Sequence, residues 1–218
     1  MKQKIKISQT TVNKIAVITK ESYETIISDA VTSLQNGELI VVPTETRYGL
    51  LANASDDAAL EKLYQAKQRP GFMPTAIFVK SYDEIFAYGE LTRSAEKLAK
   101  AYLPGPLTLI LTSKIPMKKY VVSRGKIGIR YSSSKFIADL LSRIDFPLSA
   151  TSANISGKNE CESIEEITNE FSDSVSLYVD GGYLTNAPST VVDVSSNELS
   201  FHRVGSISKE HIILKVES

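Results

Sequence analysis

Leu39-Ile40-Val41-Val42-Pro43-Thr44-Glu45-Thr46-Arg47-Tyr48-Gly49-Leu50 is the stretch from which the rest of the chain can be read. Its first four residues form a continuous apolar run, as expected of a strand buried on both faces of an α/β sheet. Pro43 has no N–H and is expected to end the ladder. The polar segment Thr44–Arg47 then falls at the strand's end, where side chains project from the sheet edge rather than into the core.

Working outward, Ser22 to Asn36 predicts a helix, with Ser22 as cap, Ile26, Ile27, Ala30, Val31 and Leu34 on one stripe, and Gly37 as stop. Ser55 to Lys67 predicts a second helix and Thr75 to Val79 a strand. Ser81-Tyr82-Asp83-Glu84 and Ser163-Ile164-Glu165-Glu166 read as capping boxes. Thr92 to Tyr102 and Ser133 to Ile144 are helical by apolar periodicity, the former broken by Pro104-Gly105-Pro106. Leu107–Leu111, Ile127–Tyr131, Ser176–Val179, Thr190–Val194 and Leu199–Val204 read as strands. Strands and helices interleave without strict βαβ order, which predicts one α/β domain over residues 1–218 around a twisted, mixed sheet.

Composition narrows the function classes. The 218 residues carry 25 Lys+Arg and 25 Asp+Glu, a balance that argues against a chain whose main task is coating nucleic acid, though not against a local basic cleft. One cysteine, Cys161, excludes an internal disulfide framework and suits a reducing cytoplasm. It lies in a polar stretch that allows exposure, and nothing in the sequence marks its thiol as activated. Two histidines, His202 and His211, lack partners at zinc or catalytic spacing. No apolar run approaches the ~18–20 residues of a membrane span, and the basic start Met1–Ile7 has no apolar region after it, against a signal peptide.

The polar segments hold fixed cations and small donors with almost no general-base chemistry. Thr44 and Thr46 suit turn hydrogen bonding or a ligand contact. Glu45 can hold Mg²⁺ or a backbone N–H, and Tyr48 reads as core. Lys67 and Arg69 end a helix, where its dipole favours cations; Pro70 and Gly71 directly after them predict that both charges stand on a rigid exposed turn. Arg130 ends the small-residue strand Ile127-Gly128-Ile129, and such an arginine needs an anionic partner, either an acid of this chain or a ligand. Ser149–Gly157 is dense in hydroxyls around Asn154 and reads as a polar loop or a phosphate or adenosine cradle. Together this inventory suits holding a polyanion such as a nucleoside triphosphate.

In this order, Pro43–Leu50, Lys67–Pro70, Pro104–Thr108, Arg130, Ser152–Asn154, Ser189-Thr190 and Arg203-Val204-Gly205 resemble the motifs of the YrdC family of threonylcarbamoyl-AMP synthases, over about residues 20–208. With little sequence left after Gly205, the chain resembles the short, single-domain form. The resemblance implies a YrdC-like sheet with a concave basic face. It implies synthesis of threonylcarbamoyl-adenylate and pyrophosphate from L-threonine, bicarbonate and ATP with Mg²⁺, for downstream proteins that modify tRNA. Carried over, Thr46, Arg130 and Ser189 look like threonine contacts. Lys67, Arg69, Ser152, Asn154 and Arg203 look like nucleotide contacts, with Lys126 a further candidate. Lys67 and Arg69 carry the catalytic charge, and no metal ligands are implied in the protein. Where the family often has Asn or Lys, and in its long form His, this chain has Met73 and Phe78. The competing class is a module of the same fold that grips double-stranded RNA or tRNA without chemistry; balanced charge and the absence of Trp weigh against it.

Overall fold

The computed structural model describes residues 14–114, 116, 120–196 and 198–218; the basic Met1–Ile7 stretch lies outside them. In chain order the elements are β1 (Lys14–Val17), α1 (Tyr23–Gln35), β2 (Ile40–Pro43), β3 (Tyr48–Leu51), α2 (Asp57–Ala66), β4 (Ala76–Phe78), α3 (Tyr82–Tyr88), α4 (Arg93–Tyr102), β5 (Leu107–Thr112), β6 (Val122–Ser123), β7 (Lys126–Arg130), α5 (Lys135–Leu141), β8 (Leu148–Ser152), α6 (Ile164–Phe171), β9 (Leu177–Asp180), β10 (Thr190–Asp193), β11 (Ser200–Arg203) and α7 (Lys209–Glu217). The strands form one sheet ordered β1-β9-β2-β3-β8-β4-β7-β5-β10-β11, with β6 beside β7. Parallel pairs (β1·β9, β2·β9, β4·β7, β5·β10) occur beside antiparallel ones, so the sheet is mixed as expected.

Local chemistry accounts for most helix starts. Ser81 Oγ accepts from Glu84 N and Ser163 Oγ from Glu166 N. Each glutamate returns to a backbone N–H, at Lys80 and Glu162 respectively, one residue before the cap. Two expected caps differ. Ser22 makes no cap bond, because its hydroxyl donates to Val17 O at 2.9 Å and ties the helix start to the edge strand. At α2 the cap is Asp56, whose carboxylate accepts from Ala58 N, and not Ser55. Pro43 stays in register opposite Tyr48, at the last position where a missing N–H is tolerated.

One face of the sheet is fully covered. Leu107, Leu109, Leu111, Ile127, Ile129 and Ile77 pack with α3, α4 and α7 residues such as Ile85, Leu98 and Ile212. On the same face Val41, Leu50 and Tyr178 pack with Leu63 of α2 and Ile167 of α6. The opposite face is covered only in part: Ile40, Val42, Leu51, Leu148 and Phe78 meet α1 and α5 through Ile27, Leu34, Ile137 and Leu140. Beyond them that face continues through paired residues, Gly49 with Ser152, Ala76 with Ala150, Gly128 with Ile110, and Arg130 with Thr108, because residues paired across strands share a face. This uncovered strip has a floor of small side chains. A Cβ at Gly128 would sit 3.0 Å from Ala76 Cβ, a contact tight enough that Ala76 would have to give way by a few tenths of an ångström.

Cys161, whose exposure the sequence left open, is buried: it is 8% exposed within the cluster that holds Ile164 and Tyr64, and burial raises its thiol to about 11.

Candidate active site

The segments singled out in the sequence converge around the uncovered strip. Thr44 Oγ1 donates to Arg47 O at 2.6 Å and accepts from Thr46 N at 3.1 Å, so the turn role of this threonine is real. The turn in turn fixes Thr46, 3% exposed, whose hydroxyl accepts from Arg130 Nη2 at 2.7 Å. Tyr48 is core, as read. Its hydroxyl donates to Gly182 O and accepts from Gly181 N, burial pushes it up to about 12, and the loop after β9 is pinned over the site's edge.

Arg130 is 9% exposed and ends β7 on the strip. The sequence left its partner open; it is Glu45, with Nη2 3.0 Å from Oε1. Glu45 Oε2 also accepts from Ser132 Oγ. The guanidinium lies over the Phe78 ring, 5.3 Å from its centroid, so Phe78 supplies a stacking platform to the arginine. Arg130 Nε is buried and has no partner.

Across the β5–β7 pairing, Thr108 Oγ1 lies 3.1 Å from Ser189 Oγ. Ser189 Oγ accepts from Arg203 Nη2 and its carbonyl accepts from Arg203 Nε, both at 3.0 Å. Arg203 also approaches Glu160 at 3.4 Å, and Glu160 approaches Arg47 at 3.4 Å. Gly205 explains the Arg-x-Gly spacing. A Cβ there would meet Pro188 O at 2.0 Å, and only glycine lets the chain pass close enough for Ser206 N to reach that carbonyl at 2.8 Å. Thus Thr46, Arg130, Ser189 and Arg203 are brought together.

Lys67 is not on an exposed turn. It is 1% exposed, and its ammonium donates to Ser152 O and, at 2.7 Å, to Asn154 O. Its own carbonyl accepts from Ser156 N. Burial, with Arg69 adding to it, lowers Lys67 to about 7. Ser152 Oγ donates to Asn154 Oδ1 at 2.6 Å, while Asn154 Nδ2 donates to Ile155 O and Lys158 O. Lys67 and Asn154 thereby shape the Ser152–Gly157 loop. Only the second half of Ser149–Gly157 is loop, however, because Leu148–Ser152 is β8 and Ser149, fully buried, accepts from Ala52 N.

Arg69 is half-buried and holds the following turn, with Nε to Met73 O and Nη2 to Pro74 O, both at 2.9 Å. Met73 itself points to solvent, 44% exposed. Lys126 stands on the same face as Arg130 but at the far end of β7, roughly 13 Å away at ~3.3 Å per residue, and its ammonium is paired with Asp193 at 2.7 Å. His202 and His211 take no part: the former lies 4.0 Å from Asp193 and the latter is within 3.2 Å of the Ser208 hydroxyl. Sequence reasoning quoted Thr108 within the Pro104–Thr108 motif but gave it no role, and it missed Ser132 and Glu160, which no local signal marks because each acquires its partners from a segment distant in sequence.

Among the described residues, no group of three or more His, Cys, Asp or Glu could hold a metal ion, and no helix is long and apolar enough to cross a membrane. The site is therefore a collection of arginines, a buried lysine and hydroxyls on a floor of small residues. Arg130 holds an unused, buried donor.

A family model named Sua5/YciO/YrdC, described as "Telomere recombination", matches residues 32–205. The chain belongs to the Sua5/YciO/YrdC family. Within that family it is 33% identical over 183 residues to the threonylcarbamoyl-AMP synthase of Pyrococcus abyssi, aligning over 82% of this chain and 54% of the relative, so it spans about half the length of that protein. The fold superposes on P. abyssi Sua5 complexed with L-threonine with a TM-score of 0.85 at 30% identity, covering 94% of this chain and 61% of the other. It superposes on Escherichia coli YciO with a TM-score of 0.80 at 26% identity, covering 89% and 96%. The Sua5/YciO/YrdC fold thus accounts for the mixed sheet.

Proposed function

We propose that this chain is a threonylcarbamoyl-AMP synthase, a nucleotidyltransferase that converts L-threonine, bicarbonate and ATP to threonylcarbamoyl-adenylate and pyrophosphate. The observation that carries the reading is the convergence of Arg130, Thr46, Ser189 and Arg203 on one uncovered strip, in a fold whose P. abyssi counterpart was crystallised with L-threonine. Arg130, Thr46 and Ser189 bind the amino acid, the arginine by its carboxylate. Arg203, Arg69 and the Ser152–Asn154 loop braced by Lys67 face the nucleotide, and Lys126 marks the far end of the strip. Lys67 and Arg69 are the cations on which turnover depends.

The chemistry needs no protein nucleophile. Threonine's amine forms a carbamate with bicarbonate-derived CO₂, and a carbamate oxygen attacks the α-phosphorus of ATP as pyrophosphate leaves. The protein's task is to hold two anions in contact and to offset charge as it develops. Arginines do so without changing protonation. Mg²⁺ arrives on the triphosphate. The product passes to partner proteins that modify tRNA, which sets the activity in the cytoplasm.

Calorimetry tests this reading against an RNA-gripping module. ATP and L-threonine are expected to bind with positive coupling, each tightening the other. Binding of RNA with a steep salt slope, and of neither small molecule, would replace the synthase reading with the RNA one.

A further inference from the structure

Glu45 is held at three points. Its carboxylate accepts from Arg130 Nη2 and from Ser132 Oγ, and its backbone carbonyl accepts from Asn186 Nδ2 at 3.1 Å, in the loop leading to Ser189. Arg130 Nη2 donates to both Glu45 and Thr46, so both its hydrogens are in use. The neighbouring Nε is buried without a partner. A carboxylate ligand that grips arginine through the Nε–Nη2 fork must therefore displace one of those two acceptors. Thr46 is 3% exposed and locked to Thr44 at 3.1 Å, whereas the Glu45 side chain is 15% exposed. Glu45 is the acceptor that can yield.

We propose that Glu45 selects the zwitterion by exchanging partners: it gives up Arg130 to the α-carboxylate of the incoming amino acid and takes the α-ammonium in its place. This rests on the synthase reading for the identity of the amino acid. The exchange replaces one ion pair by two without changing the net charge of a half-buried site, so no charge is left unpaired. A monocarboxylate lacking the amine offers Glu45 nothing. It leaves two carboxylates facing each other across Arg130, which is an element of rejection as well as of attraction. Glu45 is then a substrate-binding residue that favours amino acids over the hydroxy acids and keto acids of similar size.

The test compares wild type and Glu45→Gln by calorimetry with two ligands, L-threonine and (R)-3-hydroxybutyrate, which is threonine without its amino group. Glutamine keeps the size and loses the charge. Threonine is expected to bind about tenfold or more weakly, and 3-hydroxybutyrate several-fold more tightly, because Arg130 no longer has an anionic competitor. Opposite signs are the signature, since a merely structural defect weakens both ligands together; parallel changes, or none, overturn the proposal. Should Glu45→Gln fail to fold, Glu45→Asp keeps the charge on a shorter arm. It should weaken threonine while excluding 3-hydroxybutyrate as wild type does, and tighter 3-hydroxybutyrate binding there would overturn the proposal. Wild type that binds no threonine strikes the synthase reading itself.

Discussion

Replacing Arg130 with Ala is expected to lower kcat/KM for L-threonine by about 100-fold or more, because truncating one partner of a buried, hydrogen-bonded charge pair costs about 2–5 kcal/mol. KM for ATP should stay within a few-fold. The melting temperature should also fall, since Arg130 holds Glu45 and Thr46 and its removal leaves Glu45 half-buried without its cation. Arg130→Lys separates the two contributions. It restores a cation for Glu45 and hence most of the stability, but a lysine cannot reproduce the planar fork. Threonine KM should therefore remain raised by roughly tenfold. Equal losses for ATP and threonine would remove Arg130 from the amino-acid carboxylate. Full activity in Arg130→Lys would reduce the residue to an internal ion pair.

Lys67→Met is expected to lower turnover by about 100-fold, equivalent to ~2.7 kcal/mol. The ammonium holds the carbonyls of Ser152 and Asn154 and so braces the loop proposed to face the nucleotide. The same variant has a distinct pH signature. Lys67 titrates at about 7 in the folded protein, against ~10.4 in an unfolded chain. Between those values the unfolded state binds more protons, so this group makes stability rise with pH from about 7 to about 10. Denaturant titrations at pH 7, 8 and 9 should show that rise in wild type and a flatter profile in Lys67→Met. A rise of the same slope in the variant would assign it to other groups and place the lysine's ammonium in a less buried setting.

What the sequence made legible, and what it did not, follows from how far apart the interacting groups are. Apolar periodicity located β2 at Ile40–Pro43 and α1 at Tyr23–Gln35, and the capping boxes at Ser81 and Ser163 formed with their own glutamates. These signals are contained within a few residues. β8 was hidden because Ser149, Thr151 and Ser152 look like loop residues; their hydroxyls are tolerated in a strand where Ser149 bonds Ala52 and Ser152 faces the strip. β3 was hidden behind its motif, its alternation obscured by a continuous apolar Tyr48–Leu51 run buried throughout. Met73 and Phe78, departures from the family pattern, turn out to have different weights: one points to solvent and the other carries Arg130.

The candidate site shows the same division. The cationic residues were visible as types, but their partners were not. Glu45 and Arg130 are separated by 85 positions and Lys67 and Asn154 by 87, so only tertiary structure could show that the first is an ion pair and the second a loop brace. Burial of Lys67 was missed, and that of Cys161 left open, for the related reason that both sit in polar sequence and are covered by segments that pack over them.

The central claim is tested most directly by pyrophosphate release from purified protein supplied with ATP, Mg²⁺, bicarbonate and L-threonine, with the nucleotide product identified alongside. Pyrophosphate is expected only when threonine and bicarbonate are both present, in step with threonylcarbamoyl-adenylate, and at a lower rate with serine. Pyrophosphate released equally without threonine or bicarbonate, or none with all four present, would contradict the account.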